Sequence, residues 1–143
     1  MKKATTKTEM TVSIDIRSIC ADRLGIKIQE RKLTYPVVGA SRDGDCFEIT
    51  LDSRMSETWK RVILASILAV CLETGERTGC IMTECRDKPL AKRARGLLMP
   101  EESFRAEYKR LECLGKLRFT ALAVLFDVPL DEVMYRAKDL HLA

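Results

Sequence analysis

Apolar residues recur along this chain with two different periods. Ile14, Ile19, Cys20 and Leu24 return at helical intervals, and Gly25 offers the left-handed residue that ends such a helix. Ile26 to Arg31 alternates with a period of two, which predicts a strand. Val37 to Ser41 and Cys46 to Leu51 flank Asp43-Gly44, a pair suited to the positive φ angles of a tight hairpin turn, with Phe47, Ile49 and Leu51 on one inward face. Ser56 is a good N-cap, Glu57 suits the positive end of the helix dipole, and the helix they open runs to about Leu72. Its Trp59, Val62, Ile63, Ile67, Leu68, Val70 and Cys71 cover more than one stripe, so it should be central and buried.

The pattern then turns helical to the end. Thr74 to Lys88, with Gly75 and Gly79, reads as a connection holding one short strand at Cys80-Ile81-Met82. A third helix spans about Pro89 to Met99. Pro100 stops it and suits the first turn of a fourth, where Glu101 and Glu102 favour the dipole. Two short helices follow, roughly Lys116 to Phe126 and Leu130 to Leu140. In the last, Leu130, Val133, Met134, Ala137 and Leu140 share a face. The expected fold class is α+β: a small antiparallel β-sheet packed on a central buried helix, with several C-terminal helices. Residues 1–11 read as a polar, flexible N-terminus and 12–143 as a single domain, with a C-terminal helical pair at about 116–141.

Composition narrows the function classes. The 143 residues suit one sizeable core, and the net charge of +4 is too mild to indicate nucleic acid by itself. Aromatics are 6% of the chain, too few for a base-stacking surface. Met1 to Glu9 is charged with no apolar run behind it, unlike a signal peptide, and no window is apolar enough to span a membrane. A cytoplasmic location is expected, with the six cysteines as reduced thiols. Cys80 and Cys85 are spaced more widely than a zinc knuckle pair and have no second pair, so ordinary thiols are the simpler reading. One histidine, His141, leaves no base for a cysteine nucleophile. No cofactor and no metal is expected.

Ile19-Cys20-Ala21-Asp22-Arg23-Leu24-Gly25-Ile26, Ile49 to Ser56, Arg61 to Val70, Leu97-Leu98-Met99-Pro100-Glu101-Glu102, Leu122 to Val128 and Tyr135 to Leu140 follow one another at spacings that resemble the ImmA/IrrE family of metallopeptidase-like proteins. Arg61, Leu64, Ala65 and Leu68 match the run R-F-T-L-A-H-E-L-G-H of that family. The resemblance implies a zincin-like ImmA/IrrE scaffold whose members recognise and cleave helix-turn-helix repressors of phages and integrative elements. It also implies where catalysis should sit. Ser66 stands at the first zinc histidine, Ile67 at the general base and Val70 at the second histidine. Asp87 falls near the carboxylate ligand, and Ala91 stands at the further asparagine or aspartate. A zinc centre needs ligands that this set lacks, and without them no metal activates water. The expectation is a degenerate, catalytically inactive pseudo-peptidase that acts by stoichiometric binding to a helix-turn-helix regulator.

The basic segment 86–118 supplies the candidate binding residues. It holds ten basic side chains against five acidic ones. A solvated basic face is the ordinary reading. The sharper one is a partner surface on Lys92, Arg93, Arg95, Arg105 and Lys109, for an acidic protein or, as the alternative, directly for nucleic acid. The C-terminal pair has a helix-turn-helix look, but Asp131 and Glu132 at the start of its second helix would repel phosphate, which argues against DNA reading there.

Overall fold

A computed structural model describes residues 13–32, 39–43, 46–74 and 88–143, which fall into two compact units, Asp15–Ala94 and Arg95–Ala143, the latter with Ser13 and Ile14. The expected short strand at 80–82, Gly44 of the expected Asp43-Gly44 turn, Cys80, Cys85 and Asp87 lie outside the described residues.

The first unit carries helix α1 (Ile16–Leu24), strands β1 (Ile26–Arg31), β2 (Gly39–Asp43) and β3 (Cys46–Asp52), helix α2 (Glu57–Thr74) and most of helix α3 (Lys88–Leu98). Asp15 caps α1 by accepting from the Ser18 backbone N–H at 3.2 Å and from its hydroxyl at 2.8 Å. Gly25 ends the helix at φ 64°, ψ 30°, a conformation that costs other residues steric strain. The helix turns directly into β1, and α1 packs on both β1 and α2.

The architecture is mixed α+β, but the sheet is not the antiparallel one expected. It has three strands in the order β1-β3-β2. β2 pairs antiparallel with β3, as a hairpin should, while β1 runs parallel to β3 with Ile26 opposite Phe47 and Ile28 opposite Ile49. Alternation fixes which side chains share a face and leaves open which strand lies next door. The chain from Arg31 to Cys46 supplies the dozen or so residues that a parallel connection needs. As the middle strand, β3 is buried on both faces: Ile49 and Leu51 on one side, Thr50 and Asp52 on the other. Gln29 spans the parallel pair, donating to Glu48 Oε1 at 2.7 Å.

α2 begins where expected, with the Trp59 N–H donating to Ser56 Oγ at 3.3 Å. Val62 and the run from Leu64 to Ala69 are buried, so the helix is as deep as its composition predicted. Trp59 is 42% exposed one turn from the start, Ile63 is half-buried, and Leu72 near the end is exposed.

The second unit holds the last turn of α3, then α4 (Glu101–Arg110), a 3-10 turn (Glu112–Leu114), α5 (Leu117–Phe126) and α6 (Leu130–Asp139). Phe104, Leu122, Phe126, Val133 and Ala137 are fully buried, with the Phe104 and Phe126 rings 5.7 Å apart. Asp127 ends α5 in the left-handed region (φ 58°), and Pro129 precedes α6. The apolar face expected on α6 is corrected. Val133, Ala137 and Leu140 are buried, but Leu130 and Met134 are each 44% exposed, and Glu132 and Arg136 are buried instead.

Candidate functional site

The helix that resembles a zinc-binding helix is built as core. Ser66 is fully buried, and its hydroxyl donates to the Val62 carbonyl one turn back at 2.9 Å. Ile67 is buried. Val70 lies on the same helix, its side chain outside the described residues. Isoleucine and valine carry no donor atom, and the serine oxygen is engaged by the helix backbone. These three positions therefore do not fit a zinc ion. Among the described residues, no group of three or more histidine, cysteine, aspartate or glutamate side chains is placed to hold one.

Charge enters this unit at the mouth of α2. Lys60 is buried, and its ammonium donates to Glu30 Oε1 at 2.6 Å and to Glu57 Oε2 at 2.7 Å. Arg17 reaches the other Glu30 oxygen at 2.6 Å. The cluster ties α1, β1 and α2 together. The Lys60 hydrogen bond, aided by Arg17, holds the Glu30 carboxyl below its ordinary value of 4.5. Glu30, then Glu57, lift the Lys60 ammonium above its ordinary 10.5. A lowered carboxylate stabilises the fold above about pH 4.5 and loses that contribution as pH falls through its folded value. A raised ammonium stabilises below about 10.5 and loses it as pH rises through its folded value. Thermal unfolding of the wild type and of Lys60→Met should therefore differ by a constant amount between about pH 5 and 10 and converge on both sides. A difference that persists unchanged at pH 3 would show that Lys60 acts through packing alone.

At the strand end leading to α2, buried Asp52 accepts from the Arg54 backbone N–H at 2.9 Å and from its guanidinium at 2.7 and 3.0 Å. This pairing fixes the turn that aims the chain into the helix.

The five expected partner-binding residues differ in burial and in what they hold. Lys92 and Arg93 are exposed on the part of α3 that belongs to the first unit. Arg95 is buried: its Nε and Nη2 donate to the two Asp139 oxygens at 2.8 and 3.1 Å, and its guanidinium lies 5.3 Å from the Tyr135 ring centre. It is a core ion pair and no part of a docking face. Arg105 is exposed but engaged, donating to Glu101 at 2.8 Å and to the Leu140 carbonyl at 3.3 Å. Lys109 is exposed.

Two features escaped the sequence reading. Arg136 is buried and donates to the Met99 carbonyl at 2.9 Å; its guanidinium covers Gly96, and burial lowers its affinity for the proton. Arg118 lies over the Tyr108 ring at 4.0 Å. The aromatic at 108 ten residues before an arginine was the available signal, but nothing local shows that a 3-10 turn folds one onto the other.

No helix among the described residues is long and apolar enough to cross a membrane. No family model matches the chain, and no curated protein is found to match it.

Proposed function

We propose that this chain is a catalytically inactive, metallopeptidase-like regulator of the ImmA/IrrE type, from a phage or integrative element, acting in the cytoplasm. It works by stoichiometric binding to a helix-turn-helix transcriptional regulator, as an antirepressor or co-regulator. The observation that carries this reading is the chemistry at the three aligned positions of α2: a serine bonded to its own helix and two side chains without a donor atom, in a buried segment. Fold and catalysis are separable, and a recognition surface outlives a lost catalyst. A protein partner is favoured over DNA by α6, whose exposed Leu130, Met134 and Tyr135 and acidic Asp131 suit a protein surface better than phosphate.

The direct test mixes the purified chain with any helix-turn-helix regulator encoded near its gene, on operator DNA. The expected result is a complex of fixed stoichiometry, displacement of the operator, and a regulator of unchanged length with or without added zinc. Cleavage of the regulator, or failure to bind it, overturns the proposal. The alternative, a nucleic-acid-binding module using 86–118, draws on exposed Lys92, Arg93, Lys109 and Lys116. It calls for steep loss of DNA affinity with salt, abolished by Lys92→Glu with Arg93→Glu. Arg95 is unsuitable for that test, because reversing its charge opposes Asp139 inside the unit.

A further inference from the structure

The geometry points to a docking site for an acidic, leucine-bearing helical segment of a partner protein, formed where α4 is folded back onto the start of α5. The inference rests on the reading that the chain acts by binding protein.

Tyr108 is a fixed platform. Its hydroxyl donates to the Leu142 carbonyl at 2.9 Å, and Phe119 meets its ring edge-on at 6.1 Å. Arg118 lies on that platform with its guanidinium 4.0 Å from the ring centre. Arg95, Arg105 and Arg110 each hold a carboxylate, whereas Arg118 holds none among the described residues, and its buried Nε has no hydrogen-bond partner. A guanidinium stacked on an aromatic ring has little freedom left to lose, and with Nε buried its two Nη groups are the edge left for a carboxylate.

The surroundings specify the rest of the ligand. Leu114 is 39% and Leu117 65% exposed, and Lys109 and Lys116 of the same segment are exposed as well. Residues 109–118 carry four basic side chains against one acidic. The turn at Gly115 (φ 58°) has open space where a side chain would stand. Leucines flanked by cations fit a helix with leucines on one face and glutamates beside them. Nucleic acid would gain nothing from the leucines, and the Tyr108 ring is already covered by Arg118 and Phe119. Two leucines also offer less apolar area than a membrane-bound face uses.

The test titrates full-length protein with a labelled synthetic peptide of glutamate and leucine, about fifteen residues long so that it can form a helix, its leucines on one face. A peptide with lysine for glutamate is the control. Expected are saturable binding of the acidic peptide alone and amide chemical-shift changes centred on 108–118. Arg118→Ala and the surface variant Leu117→Ser should each weaken binding about tenfold. Unchanged affinity in a folded Leu117→Ser variant overturns the site, as do shifts elsewhere. Tighter binding to a DNA duplex or to phosphatidylserine vesicles also overturns it. A regulator complex that survives both variants leaves the proposed function standing and this site wrong. Peptide binding without a regulator complex does the reverse.

Discussion

Ile67→Glu should cost the protein about 4 kcal/mol or more of stability at pH 7, enough to unfold the unit that contains α2. Ile67 is 4% exposed, so the change forfeits roughly 1.5–3 kcal/mol of apolar burial and puts a carboxylate where water cannot solvate it. Burial raises the pKa of such a carboxyl, so the folded state binds its proton more tightly than the unfolded chain does. The penalty then grows as pH rises above about 4.3 and shrinks in acid. Ile67→Leu, which nearly conserves volume, should cost less than about 1.5 kcal/mol. Urea unfolding of the three proteins at pH 5 and 8 measures all of this. The position matters because the resembled family keeps its general base there. A tolerated, normally titrating glutamate would mean that α2 still faces an open cleft and that only side chains, not the cavity, had been lost.

Much of the architecture was written locally. Gly25, Ser56 and Pro100 punctuate the helices because a cap or a stop is a matter of neighbouring atoms. The depth of α2 followed from its breadth of apolar residues. What local pattern left open was choice among neighbours. β1 alternates correctly for either partner strand, and its parallel pairing with β3 is decided by the path of the whole sheet. On α6 two adjacent faces compete. Leu130, Met134 and Tyr135 stay near the surface because Glu132 and Arg136 turn inward, Arg136 onto the Met99 carbonyl 37 residues away.

The candidate site was less legible for the same reason. Arginines crowd residues 86–118, and composition alone makes them equivalent. The fold does not. Arg95 is consumed by a carboxylate 44 residues away, Arg105 by its own helix and a distant carbonyl, and Arg118 by an aromatic ring that leaves its fork unspent. A basic segment is thus a mixture of core, scaffold and surface. Only the last can recognise anything.

That division makes the Arg95–Asp139 pair the sharpest test of the second unit. Both side chains are largely withdrawn from water and meet through two hydrogen bonds. Removing one partner strands the other, so Asp139→Ala should destabilise by about 3 kcal/mol, against 1 kcal/mol or less for an exposed pair. Asp139→Ala should exceed Arg95→Met in cost. Asp139 also offsets the charge of buried Arg136, so its loss leaves Arg95 without its carboxylate and Arg136 with Glu101 alone, whereas Arg95→Met leaves one carboxylate with Arg136 still opposing it. The double variant Arg95→Met with Asp139→Ala removes both charges and should return to within about 1 kcal/mol of the wild type. Denaturant unfolding of the four proteins closes a double-mutant cycle, and a coupling of at least about 2 kcal/mol is expected. Additive costs near 0.5 kcal/mol each would instead make Arg95 an effectively solvated cation. It would then return to the set of residues that can dock a partner.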